Sequence, residues 1–173
     1  MTPNLQWTVM AADILSVEAD VLVCSANPYL TLSGGVGGAF LGRYGLSMQQ
    51  WLQAYLHERG VRHVPPETIV VAPPCGSPYR AVFHAVAVDA AYASSSERIT
   101  RMVDRMLGLA LDTGARTLAL PALATGYGNL TIDGFATGLK PLVGQGSLAL
   151  AVKLCLRHEA DAAKVREALE LET

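Results

Sequence analysis

The residues with the clearest capacity for chemistry lie between Asp20 and Gly38, in the segment DVLVCSANPYLTLSGGVGG. An apolar run ends in Ser25-Ala26-Asn27, and a glycine cluster of Gly34, Gly35, Gly37 and Gly38 around Val36 follows. An asparagine offers one acceptor and two donors to a ligand hydroxyl. Glycines let the chain turn tightly and bring bare backbone N–H groups close to an anion. The chemistry implied is the holding of a phosphate or diphosphate. A second loop repeats the pattern: Leu118–Ala122 is apolar, and Leu123-Ala124-Thr125-Gly126-Tyr127-Gly128-Asn129 comes directly after it. Two small-residue loops after two buried strands make a two-jawed clamp. A third candidate, Asp13 in Ala12-Asp13-Ile14, is a turn residue or cap in its plainest reading, and beside a pocket it could accept a hydrogen bond from an exocyclic amine.

The elements that must position these residues follow from hydrophobic patterning. Leu5–Ala11, Val21–Ser25, Thr68–Ala72, Ala81–Val88, Thr117–Ala122 and Leu148–Leu156 read as strands, with Val21–Ser25 buried on both faces and both Thr68–Ala72 and Ala81–Val88 central. Helical spacing marks Met48–Leu56 with a stop at Gly60, and a longer helix capped among Ser94, Ser95 and Ser96 and ended by Gly114. Further helices are expected over Asp133–Val143, capped by Asp133, and over His158–Leu169. Strands interleaved with helices predict an α/β fold: a three-layer α/β/α sandwich on a mixed, largely parallel central sheet, with ligands at the carboxyl ends of the strands.

The whole chain, residues 1–173, fits one domain. A 51% hydrophobic and 16% charged composition supports a large core. A net charge of −2 without a basic run argues against reading duplex nucleic acid. Cys24, Cys75 and Cys155 lack metal or redox spacing and read as core residues of a cytoplasmic protein; no targeting segment or membrane span is visible. His57, His63 and His158 do not cluster, so no metal site is expected, and no cofactor. His84, inside an apolar run, reads as a satisfied core residue.

Together these segments resemble the macrodomain, the ADP-ribose-binding module. The family's Gly-Asp-Ile is echoed by Ala12-Asp13-Ile14, its Asn-Ala-Ala-Asn by Cys24-Ser25-Ala26-Asn27, its glycine loop by Ser33–Gly38, and its second phosphate loop by Pro121–Gly128. Val82–Val86 resembles the family's central strand, so the likeness spans nearly the whole chain. The resemblance implies that Asp13 meets the adenine amine, the Ile14 backbone the ring, and Asn27 the distal ribose. It implies that the backbones of Gly34, Gly35, Val36 and Gly37, with Ala124, Thr125, Gly126, Tyr127 and Gly128, enclose the diphosphate, Tyr127 covering it or the ribose.

Hydrolytic macrodomains often carry an Asp where this chain has Gly37, or a His where it has Leu32, so no general base is visible in the first loop. Ser33 replaces a glycine, and the second loop is one residue shorter than the family pattern. No residue for stacking on adenine is obvious among Leu156, Arg157 and His158, and Lys140, Lys153 and Lys164 lie outside both loops, where a lysine nucleophile would be needed. Asn27 is the sole catalytic candidate, able to orient a water or a substrate hydroxyl. Three expectations follow: a module binding ADP-ribose, free or on a protein or nucleic acid; a hydrolase or deacetylase acting on an ADP-ribose ester; and a structural or interaction module whose cleft has lost its ligand.

Overall fold

The computed structural model describes residues 5–146 and 149–172. Its strands are β1 (Gln6–Ala11), β2 (Val21–Ser25), β3 (Ile69–Ala72), β4 (Ala81–Ala85), β5 (Thr117–Pro121) and β6 (Ala151–Leu156). Its helices are α1 (Gly35–Tyr44), α2 (Ser47–Glu58), α3 (Ser96–Asp112), α4 (Ile132–Leu139) and α5 (Glu159–Ala168), with single 3-10 turns at Ile14–Ser16 and Lys140–Leu142.

The strands form one six-stranded sheet in the order β1-β6-β5-β2-β4-β3. Every pairing is parallel except β3 with β4. The sheet is therefore mixed and largely parallel, and the order of elements gives the expected α/β/α layering. Strand β2 lies at its centre with Val21, Leu22, Val23 and Cys24 all buried, as a strand covered on both faces must be.

Alternation along the strands divides the core in two. Val21, Val23, Phe83, Leu118 and Leu120 pack with Ile99, Met102, Met106 and Phe135 of α3 and α4. Leu22, Cys24, Val82 and Ala119 face the other way, onto Phe40 of α1 and Met48, Leu52 and Leu56 of α2. The period of two along the strands thus meets the helical period of α2 and α3 on opposite sides.

Several expectations are corrected. Strand β3 is an edge strand, not a central one, and it runs antiparallel, with Val71 41% exposed. The glycine segment is not a free loop: Gly34 is the N-cap and Gly35 already lies in α1. The cap of α4 is Thr131, whose Oγ1 accepts from Gly134 N at 3.0 Å, while Asp133 sits in the first turn. The expected cap of α3 is Ser95, with Glu97 in the first turn. His84 is fully buried in β4 as expected, but it is not satisfied: both ring nitrogens lack a partner among the described residues. Leu148, expected to open the last strand, lies outside the described residues.

Candidate functional site

In a parallel sheet the carboxyl ends of the strands gather at one edge. Here the gathering brings together Asp13 after β1, Asn27 and α1 after β2, Val86–Ser94 after β4 and Ala122–Asn129 after β5. The sequence-predicted residues therefore share one rim of the molecule, and each is held there by local bonds.

Asp13 caps the 3-10 turn: its Oδ1 accepts from Leu15 N at 3.0 Å, leaving Oδ2 for another donor. Ile14 beside it is buried. The turn is tied to α1 by Arg43, whose guanidinium donates to Leu15 O at 3.0 Å. Asp13 thus plays the capping part that its plainest reading assigned, with half its carboxylate still open.

Asn27 is engaged by its own turn. Its Oδ1 accepts from Tyr29 N and Thr31 N, and its Nδ2 donates to Thr31 O at 2.8 Å. One amide hydrogen remains for a ligand. The turn it closes carries Leu30 at φ 54, a conformation unusual for a branched side chain, fixed by burial of Leu30 and by Gln49. Gln49 of α2 donates to Leu30 O and accepts from Leu32 N at 2.7 Å. Neither Gln49 nor Arg43 stood out in the sequence, because a polar residue on an amphipathic helix ordinarily faces solvent.

The first jaw is the amino terminus of α1. Gly38 N donates to Gly34 O, so the helical ladder begins there, and the amides of Gly35, Val36 and Gly37 have no acceptor within the helix. These groups and the partial positive charge of the helix end attract an anion without a lysine. Gly34 adopts φ +64, which admits glycine readily and other residues with strain. Gly37 is buried, and a Cβ there would lie 3.2 Å from Leu32 Cδ2. A side chain at Gly37, where the family resemblance leads one to expect Asp, would therefore require Leu32 to shift by a few tenths of an ångström.

The second jaw, after β5, is built by backbone geometry. Ala124 takes φ +63, and its carbonyl accepts from Leu130 N, closing the loop. A Cβ at Gly128 would run into that same carbonyl, which is why glycine stands there. Thr125 turns its hydroxyl back onto Ala122 O at 2.7 Å, and Gly126 borders open space. The loop is braced from outside by the segment after β4: Asn129 N donates to Tyr92 O, and Asn129 Oδ1 accepts from Ser94 N at 2.9 Å. Asp89 shapes that brace by accepting from Ala93 N and Ala91 N, bonds that hold its carboxyl below the usual range.

Tyr127 joins the jaws. It is 78% exposed, yet a Cβ added at Gly34 would sit 2.6 Å from its hydroxyl oxygen, so the ring leans across the cleft onto the N-cap of α1. The arrangement presents backbone amides from one side and an exposed aromatic ring from the other. No cluster of His, Cys, Asp or Glu among the described residues could hold a metal ion, and no helix among them is long and apolar enough to cross a membrane.

Comparison with known proteins adds an independent line. The family model for the Macro domain matches residues 23–137. An uncharacterized protein of Pyrobaculum aerophilum is 30% identical over 147 residues, spanning 85% of this chain and 79% of the relative. A protein of Enterobacter cloacae named O-acetyl-ADP-ribose deacetylase is 35% identical over 129 residues, spanning 71% of this chain and 69% of its own. Among solved structures, the Oceanobacillus iheyensis macrodomain with ADP superposes with a TM-score of 0.81 at 21% identity, covering 92% of this chain and 87% of that one. The Trypanosoma brucei macrodomain in complex with ADP-ribose gives 0.73 at 17% identity, over 95% and 69%.

Proposed function

The chain belongs to the macrodomain family, and on that footing we propose that it binds ADP-ribose, free or attached to a protein or nucleic acid, between α1 and the loop after β5. The observation that carries this reading is the set of amides of Gly35, Val36 and Gly37, without acceptors within the helix, opposite Ala124–Gly128 and bridged by Tyr127 over Gly34. An amide cradle at a helix terminus suits a diphosphate, whose charge it meets with oriented dipoles and not with side-chain cations.

The remaining roles follow the order of the strands. Asp13, next to β1, accepts the adenine amine through its free carboxylate oxygen, with the Ile14 backbone against the ring. Asn27, next to β2, reaches the distal ribose with its one uncommitted amide hydrogen. Thr125, Gly126 and Gly128 contribute backbone to the phosphate side, and the location is cytoplasmic.

A second reading, hydrolysis of an ester of ADP-ribose, is favoured by the relatives named O-acetyl-ADP-ribose deacetylase. In it Asn27 orients the attacking water. Leu32 and Gly37 supply no base, and a positioned base is typically worth about 10²–10⁴ in rate, so this activity would be slow.

Calorimetric titration with ADP-ribose, with ADP, AMP and NAD as controls and Asp13→Ala alongside, tests the binding reading. Micromolar affinity, about −8 kcal/mol, that weakens in the variant is expected. No heat with any of these ligands would overturn it in favour of a cleft that has lost its ligand.

A further inference from the structure

The rim of the sheet does not stop at Asn27. Beyond β2 come β4 and then β3, and because β3 is antiparallel it is the start of β3 that lies at this edge. The segment leading into it is fastened to the asparagine turn by Val64 N donating to Pro28 O at 2.9 Å. The turn 27–31 consequently has two sides. Asn27 belongs to the cleft, while Tyr29 and Thr31 form one wall of a separate open cavity of about 490 Å³.

The cavity is also lined by Gln53, Leu56 and His57 of α2 and by Val61 and Arg62 beyond that helix. Tyr29 is 61% and Val61 43% exposed, so two large apolar groups face solvent at the cavity. Arg62 is the cation of the lining, and His57 in it and His63 beside it, the latter with its ring 6.0 Å from that of Tyr29, add imidazole hydrogen-bonding groups. Glu58 is the one acidic residue between positions 57 and 63. Glu67, farther along, is already engaged by Arg101 at 2.7 Å. Apolar groups, one arginine and two imidazoles thus gather on the far side of the turn that Asn27 closes.

We propose that this cavity receives the polypeptide flanking an ADP-ribosylated residue, and that it selects segments in which an apolar side chain stands beside acidic ones. The inference rests on the ADP-ribose reading of the cleft, since it places the modified ribose at Asn27 and the attached chain across the turn. Leu56 and Val61 offer alkyl contact to a side chain, Arg62 meets a carboxylate, and the imidazole of His57 offers a hydrogen bond. A nucleic acid is the poorer fit. Backbone tracking draws on a run of phosphate contacts. Arg59, the other nearby arginine, is folded onto Tyr55 at 3.5 Å and donates to its carbonyl.

The test compares two peptides bearing the same ADP-ribosyl group, one with acidic and apolar flanks and one with basic flanks, an ADP-ribosylated oligonucleotide, and free ADP-ribose. Each is titrated into the wild type and into a double variant, Val61→Glu with Arg62→Glu, both at exposed positions. The wild type is expected to favour the acidic peptide over the basic one by about tenfold, the scale of one rim charge and a buried side chain. The double variant should reverse that order while binding free ADP-ribose as before. Equal affinity of the wild type for both peptides, a preference that survives the charge reversal, or tighter binding of the oligonucleotide than of the acidic peptide overturns the proposal with the cleft reading intact. Absence of binding by free ADP-ribose itself marks failure of the cleft reading, and the proposal falls with it.

Discussion

The hydroxyl of Tyr127 lies over Gly34, so near that a single added methyl at that glycine would meet it at 2.6 Å. The contact links the cap of α1 to the loop after β5 with no hydrogen bond or ion pair of Tyr127 among the described residues, and its ring is largely exposed. Gly34→Ala must therefore push the ring aside and hold a positive φ, at a cost of about 1 kcal/mol in stability. The larger expected effect is on ADP-ribose, whose dissociation should accelerate as the cover is displaced. Tyr127→Phe, which keeps the ring, should bind nearly as the wild type does. Stopped-flow dissociation of a fluorescent ADP-ribose derivative separates these outcomes, and equal rates in all three proteins would deny Tyr127 any covering role.

Leu32 and Gly37 give a second prediction. Installing the carboxylate that the family resemblance led one to expect, by Gly37→Asp, brings a Cβ to 3.2 Å from Leu32 Cδ2 in a buried site. Overpacking of this kind costs about 1–3 kcal/mol. The single variant should melt lower. Adding Leu32→Val, which withdraws the δ methyls at less cost than truncation to Ala, should recover part of the melting temperature. Differential scanning calorimetry of the two variants decides the matter, and a Gly37→Asp protein as stable as the wild type would show that Leu32 yields freely.

The brace behind the second loop is testable on its own. Asn129→Ala removes the acceptor of Ser94 N, a bond worth about 1 kcal/mol. Because that bond joins two surface loops and no core element, the expected result is a small change in melting temperature with a several-fold weaker affinity for ADP-ribose. A variant that loses stability and affinity in equal measure would place Asn129 in the fold and not in the site.

What the sequence disclosed followed from where its physics is local. Strand β2, the turn at its asparagine and the small-residue loop after β5 were legible because a short continuous apolar run that ends in turn chemistry forms a buried strand delivering its last residues to a loop. Helix α1 was not, since Gly35, Gly37, Gly38 and Gly42 give it poor intrinsic propensity, and burial of Phe40 against the sheet forms it instead. The edge position of β3 was hidden for a related reason: Ile69–Ala72 is apolar throughout, and only the structure shows that Val71 faces solvent. Gln49, Arg43 and Asn129 act through carbonyls and amides distant in sequence, which no spacing pattern reports.

His84 supplies the prediction that depends on pH. It is fully buried in β4 with both ring nitrogens unpartnered among the described residues, and burial pushes its pKa down to about 4 from an ordinary 6.5. The folded protein therefore holds His84 neutral while the unfolded chain takes up a proton below pH 6.5. Its contribution is fully present above 6.5, declines as the pH falls, and is gone once the pH passes below about 4. Between pH 7 and pH 5 the loss amounts to about 2 kcal/mol at roughly 1.4 kcal/mol per unit. The carboxylates of Asp20, Glu67 and Asp89, all lowered by hydrogen bonds, act only as the pH approaches and passes below their ordinary values of 3.8 to 4.5, so the window above pH 5 belongs chiefly to the histidine. His84→Leu removes the unpaired nitrogens at similar volume and should flatten the dependence without lowering stability at pH 7. Urea denaturation of both proteins at the two pH values measures the difference, and an identical fall in wild type and variant would mean that His84 finds a partner that keeps it protonated in the fold.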